Sequence, residues 1–205
     1  MEKQWLLWAR ELQSISQSGL TYCKSDYDLD RYRELEKLSQ EIIKRHTDVP
    51  EELIKEYYKK EDGYLTPKVD VRGAVISDNK ILLVKEKVDG RWCLPGGWGD
   101  VNRSISENVK KEAFEEAGVL VETTRLVGVL DRSKWVEDVC PYTIYKIFIL
   151  CDLLEGGFQK NTETDESRFF LLDALPPLSK GRTTAEQLAL CFKAYSDPNF
   201  IPIFD

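Results

Sequence analysis

The chain has 205 residues, of which 42% are hydrophobic and 32% charged, a length that suits one large domain or one domain with an appendage. That mixture supports a packed core and excludes an intrinsically disordered chain. Lys and Arg total 29 against 36 Asp and Glu, a net charge of −7; this excludes a non-specific duplex-DNA binder, which needs a basic footprint. An acidic protein that handles phosphates is expected to do so through a metal ion, which inverts the local charge.

The start of the chain, Met1-Glu2-Lys3-Gln4-Trp5, carries no signal-like apolar run. The most apolar stretch, Ile147 to Cys151, is too short to span a bilayer. Cys23, Cys93, Cys140, Cys151 and Cys191 are far apart and odd in number, as expected of thiols in a reducing compartment. The expectation is a soluble cytoplasmic protein. His46 is the one histidine, so a His-rich zinc site is excluded, and it reads as a solvated residue at a helix end.

Residues 1–62 read as a helical domain. Trp5, Trp8, Leu12 and Ile15 recur at helical spacing, as do Leu35, Leu38, Ile42 and Ile43. Asp48-Val49-Pro50-Glu51-Glu52 has the form of a helix start. Three helices are predicted, near 2–18, 27–46 and 50–60. Their apolar stripes must be buried against the rest of the chain or a second subunit, with Trp5 and Trp8 as packing or dimer contacts. Asp62-Gly63 through Pro67 breaks the pattern, and a second domain is expected over 66–205.

There, Val69 to Ile76 and Lys80 to Val84 read as a hairpin around Ser77-Asp78-Asn79. Further strands are predicted at Leu126 to Leu130, Tyr142 to Leu153 and Arg168 to Leu172, and helices near 104–117 and 183–195. A mixed sheet with few helices is an α+β architecture.

The chemistry concentrates between Leu94 and Val119. Leu94-Pro95-Gly96-Gly97-Trp98-Gly99 is a Gly-rich loop after a strand, followed by a helix that Ser104 and Glu107 can cap as a box and Gly118 can end. On that helix Glu112, Glu115 and Glu116 stand at i, i+3 and i+4, within about 6 Å at Cβ. Three carboxylates on one face repel one another unless they surround a hard cation that takes oxygen ligands. The Gly96-Gly97 turn can bring a backbone carbonyl to the same ion.

This segment resembles the box of the Nudix hydrolases: Gly97 opens it, and Glu112, Ala113, Glu115, Glu116, Gly118 and Val119 follow at the family's spacing. The resemblance extends over about residues 66–205. It implies a mixed-sheet α/β/α sandwich preceded by a small all-helical domain, as in the branch that includes CDP-choline and ADP-ribose pyrophosphatases. It also implies hydrolysis of the diphosphate in a nucleoside diphosphate-X compound of the CDP-choline, ADP-ribose or UDP-sugar class, supported by Mg²⁺ or Mn²⁺. The products are a nucleoside monophosphate and phosphorylated X. The implied metal ligands are Glu112, Glu115, Glu116 and the Gly96 carbonyl, and the implied catalytic residues are Glu112, Glu116 and a later general base. Glu163 is the candidate base, ahead of Glu166. Arg72 is a candidate for substrate phosphate and Trp98 for stacking on the base. The small-molecule partner is a nucleotide, with neither duplex DNA nor membrane, and the chain is expected to be a homodimer.

Two positions depart from the family's pattern. Arg103 stands where the box has its first Glu, and Lys111 where it has Arg. Glu107, one helical turn before Lys111, is expected to pair with it in compensation. The two departures support a second reading, a catalytically weak nucleotide sensor on the same fold; a third, a nuclease of RNA 3′ ends, rests on the same metal chemistry, which also cleaves phosphodiesters.

Overall fold

The computed structural model describes residues 3–59 and 63–205, so the expectations on residues 1–2 and the Glu61-Asp62 junction lie outside the described residues. The elements in chain order are α1 (Gln4–Tyr22), α2 (Asp26–His46), α3 (Glu51–Lys59), β1 (Lys68–Ser77), β2 (Lys80–Glu86), β3 (Trp92–Cys93), α4 (Ile105–Ala117), β4 (Val119–Asp131), α5 (Arg132–Trp135), β5 (Ile144–Gly156), β6 (Thr164–Leu171), α6 (Ala185–Ser196) and β7 (Ile203–Phe204). The chain divides into two compact units, one of residues up to Pro67 with Glu137–Thr143, the other of Lys68–Val136 and Ile144–Asp205.

In the first unit the helices close on Ala9, Ile43, Ile54 and Tyr58. Ser39 Oγ, also buried, donates to the Ala9 carbonyl at 2.6 Å and bonds the Tyr58 hydroxyl, which satisfies polar atoms placed in an apolar core. The His46 ring is solvent-exposed and stacks on Trp5, with centroids 4.9 Å apart.

The second unit is a mixed sheet of order β3-β2-β1-β5-β4-β7, with β6 on the free edge of β2. Strands β1 and β5 run parallel, and the β4–β5 and β2–β6 pairs antiparallel. Period-two alternation gives the sheet two apolar faces. Val71, Val75, Ile147 and Ile149 pack with Val109 and Ala113 of α4 on one. Ala74, Ile76, Phe148 and Leu150 pack with Leu188 and Cys191 of α6 on the other.

One departure from regular pairing positions the site. Strands β1 and β2 pair only at Ile76↔Ile81 and Ser77↔Lys80, beside their turn, and the glycine-rich segment occupies the opening between them. Gly73 N donates to Pro95 O at 2.9 Å, Val71 N to Gly97 O at 2.8 Å, and Gly99 N to Val69 O at 2.9 Å. Gly96 (φ 145°) cannot be replaced here, because a Cβ would stand 2.0 Å from the Val71 carbonyl oxygen.

Three strand boundaries differ from expectation. Strand β4 begins at Val119, directly after Gly118, rather than at Leu126; β5 runs from Ile144 to Gly156; and β6 begins at Thr164 rather than Arg168. In β4 and β6 the early residues are partly polar, with buried and exposed positions interspersed, and the added end of β5, Leu154 to Gly156, is exposed throughout, so each lacks the apolar run on which the prediction relied.

Candidate functional site

Helix α4 is fixed at both ends by its own sequence. The Ser104 hydroxyl accepts from Glu107 N at 3.2 Å and the Glu107 carboxylate accepts from Ser104 N at 2.7 Å, a capping box. Gly118 ends the helix in the left-handed conformation, φ 70°. Between these ends Glu112 and Glu116 face the glycine segment and are buried. Gly96 N donates to Glu116 Oε2 at 2.8 Å. A Cβ built on Gly97 would lie 3.3 Å from Glu112 Oε2. The turn and the two carboxylates are therefore in direct contact.

Burial sets the electrostatics. Glu116 is 4% exposed, and desolvation pushes its carboxyl up to about 8, with Glu112 and Glu86 adding to the rise and Arg72 and the Gly96 N–H opposing it. Glu112 is raised too, first by burial and then by Glu115 and Glu163, against the pull of Lys111. Glu163 is thus within electrostatic reach of Glu112. Glu163 itself is exposed.

The loop carrying Glu163 is fastened to the end of α4. Asn161 Oδ1 accepts from Glu163 N at 2.9 Å and from Thr164 N at 2.7 Å. Thr164 Oγ1 and Asn161 Nδ2 both donate to the Glu116 carbonyl, at 2.6 and 3.3 Å, and Ser167 Oγ donates to the Ala117 carbonyl at 3.2 Å. These side chains satisfy carbonyls that a helix C-terminus leaves without partners, and they fix where Glu163 stands. Glu166 is instead ion-paired with Arg168.

Several expected side chains are placed differently. Arg72 does not reach toward a phosphate: it is 3% exposed, and its Nε and Nη2 donate to Asp70 Oδ1 and Oδ2 at 2.7 and 2.8 Å, with Nη1 on Leu94 O at 3.1 Å. The expected phosphate contact is corrected to a buried bidentate pair, because residues i and i+2 of a strand share a face. Glu107 is occupied by its capping box, so the expected Glu107–Lys111 pair is also corrected. Lys111 Nζ lies 2.9 Å from Glu115, 3.3 Å from Asp100 and 3.5 Å from Glu112, and Arg103 lies 3.6 Å from the same Asp100. Glu115 is exposed and turned to Lys111. Trp98 pairs by its backbone with Asp70 while its side chain is 53% exposed, so its ring is presented rather than packed in the core.

Among the described residues no three His, Cys, Asp or Glu side chains already converge as a metal cage. The donor chemistry nonetheless fits a hard divalent cation. Two buried carboxylates are held at raised pKa by desolvation first and by neighbouring carboxylates second, and a cation relieves both causes.

Sequence reasoning missed Asp70, Asp100, Asn161 and Thr164. Only Asp70 had a local signal, its i, i+2 spacing from Arg72.

Comparison with known proteins agrees with this geometry. Residues 3–58 match the family described as a UDP-X-like, N-terminal oligomerisation domain, and residues 67–191 match the NUDIX domain. A Bacillus subtilis protein named "Putative ADP-ribose pyrophosphatase YjhB" is 43% identical over 205 residues, covering 100% of this chain and 99% of that one. The crystal structure of an ADP-ribose pyrophosphatase from Streptococcus suis 89-1591 is 51% identical, with a TM-score of 0.65, and covers 68% of this chain and 100% of its own. The crystal structure of a UDP-X diphosphatase is 34% identical, also with a TM-score of 0.65, and covers 98% of both chains. With its box helix, glycine segment and mixed sheet in place, the chain belongs to the Nudix hydrolases.

Proposed function

We propose that the chain hydrolyses the diphosphate bridge of a nucleoside diphosphate-X compound, of the ADP-ribose, UDP-sugar or CDP-choline class, releasing a nucleoside monophosphate and phosphorylated X. The observation that carries this reading is the buried Glu112–Glu116 pair against Gly96-Gly97, with Glu163 near enough to act on Glu112. The names of the similar proteins, which act on ADP-ribose and on UDP-X, support the substrate class. Glu112, Glu116, the Gly96 carbonyl and Glu115, released from Lys111, would hold Mg²⁺ or Mn²⁺. When bound, the ion neutralises phosphoryl charge and lowers the pKa of a coordinated water.

The protein's own residues do the rest. Glu163 accepts a proton from the attacking water at its carboxylate. The Asn161 and Thr164 bonds hold that carboxylate in place. Trp98 offers its exposed ring to the nucleotide base. The helical domain over about residues 1–62 provides the contacts of a homodimer, and the hydrolase domain spans about 66–205. The match to an oligomerisation domain over 3–58 supports this division.

The test is product analysis on ADP-ribose, UDP-glucose, CDP-choline, nucleoside triphosphates and a short RNA, with Mg²⁺ or Mn²⁺, beside a Glu116→Gln variant. Metal-dependent release of a nucleoside monophosphate, lost in the variant, is the expected result. RNA trimming instead would replace the substrate class, and metal binding without turnover of any compound would favour a nucleotide sensor.

A further inference from the structure

The loop between β6 and α6 is fastened from four directions. Trp92 N donates to Pro177 O at 3.0 Å, and Ser179 N to Trp92 O at 2.8 Å. Ser179 Oγ donates to Asp89 Oδ2 at 2.7 Å. Thr183 Oγ1 accepts from Leu94 N at 3.1 Å, which ties the loop to the strand that leads into Gly96. Beneath it, Arg132 Nε donates to Gly181 O at 3.2 Å and Lys146 Nζ donates to Arg182 O.

This loop presents Arg182. Its Nε pairs with Glu86 Oε1 at 3.1 Å; the Glu86 side chain is buried, while the Arg182 side chain is 40% exposed. Glu86 closes β2 where the site lies. It pairs across the sheet with Thr164, whose hydroxyl bonds the Glu116 carbonyl, and the next amide, Lys87 N, donates to Glu163 O at 3.0 Å. Arg182 is thus one ion pair away from the strand end that also holds Glu163.

With the metal ion neutralising part of a diphosphate's charge, a side-chain cation can orient the remaining phosphate oxygens. Arg72 is sealed against Asp70, and Lys111 sits among three acids. Arg182 has its Nε 3.1 Å from a buried carboxylate, also draws down the neighbouring Asp89, and keeps 40% of its side chain exposed. We propose that Arg182 binds the phosphate oxygens of the substrate through its Nη groups, with Glu86 as the residue that positions it. This rests on the hydrolase reading above. A guanidinium suits the task because its planar fork meets two oxygens at once.

The test compares wild type, Arg182→Gln, Arg182→Lys and Glu86→Gln in steady-state kinetics with ADP-ribose, UDP-glucose and CDP-choline, and in calorimetric binding of the same compounds in EDTA. The double variant Glu86→Gln/Arg182→Gln is the substitute if the buried Glu86 left by Arg182→Gln prevents folding. Arg182→Gln is expected to raise KM about 10- to 100-fold, the range of one charge-assisted contact, with kcat within a few-fold of wild type. Arg182→Lys recovers part of the loss, and Glu86→Gln moves KM the same way by less. KM and binding within twofold of wild type in Arg182→Gln, or equal losses of kcat and active fraction at unchanged KM, overturn the assignment. Wild-type protein that binds these compounds without hydrolysing them overturns the hydrolase reading alone, and Arg182 is then judged by binding. Wild-type protein that neither binds nor hydrolyses them overturns both.

Discussion

Glu51 and Glu116 are the same side chain in opposite circumstances. Glu51, on the surface of the helical unit, accepts from Lys44 and Lys55 at 2.6 Å each, and those two hydrogen bonds hold its carboxyl down at about 2. Glu116, inside the hydrolase unit, has a backbone amide as its hydrogen-bond donor and is pushed up to about 8 by burial. One acid has its counter-charges built in; the other is buried among further acids. The Arg72–Asp70 pair is a third case, buried with its counter-charge. The difference is between an acid lowered by cations on a surface and an acid raised by burial, the second kind being the one that marks candidate functional sites.

The largest expected effect is at the rim of the ligand-dependent set. Glu163→Gln should lower kcat by about 10²- to 10⁴-fold, the usual contribution of a general base, while KM stays near wild type; unchanged kcat in steady-state assays removes Glu163 from the mechanism. At the buried pair, Arg72→Met leaves Asp70 in the core without its bidentate partner. It should cost about 3–5 kcal/mol in chemical denaturation, and the double variant Arg72→Met/Asp70→Leu should recover most of that loss. A single variant of wild-type stability would show that the buried pair does not hold the fold together.

A subtler effect belongs to Lys146, which is 1% exposed and brought down to about 7 by burial, with Arg72 and Arg132 adding to the fall. Its folded pKa lies below the ordinary 10.5, so between pH 7 and 10.5 the unfolded chain binds more protons than the folded one, and stability rises with pH. Lys146→Met should flatten that rise relative to wild type when unfolding free energies are measured from pH 6.5 to 10; parallel curves would contradict it. The smallest effect is at Glu51. Its lowered pKa contributes stability only above the ordinary carboxyl range and loses it as pH falls through about 2. Its carboxylate lies at the surface, where solvent and salt screen it, so Glu51→Gln should shift the melting temperature at pH 7 by an amount near detection and not at all in 1 M salt.

What the sequence made legible was local. Ser104, Glu107 and Gly118 predict the ends of α4 because caps are set within four residues. The spacing of Glu112 and Glu116 puts both on the buried face, though it does not distinguish Glu115, which turns out to Lys111. The fate of Arg72 was half visible, since Asp70 shares its strand face. Asp100 reaching Lys111, and Asn161 and Thr164 reaching the Glu116 carbonyl, were not visible. Those contacts join separate elements, and only the packed sheet determines them. The early start of β4 was hidden for a different reason: Glu122, Thr123, Thr124 and Arg125 interrupt the apolar pattern although the backbone continues its ladder with β5.

The central claim is that Glu112 and Glu116, whose carboxyls burial raises in spite of Lys111 and Arg72 nearby, receive a divalent cation. Titration of Mn²⁺ into metal-free protein, followed by calorimetry in wild type, Glu112→Gln and Glu116→Gln, tests it without requiring any substrate. The account predicts saturable binding to wild type, weakened in each variant by more than the about 10- to 100-fold that losing a mere supporting residue costs. Wild-type affinity in both variants, or no binding to wild type, would contradict it.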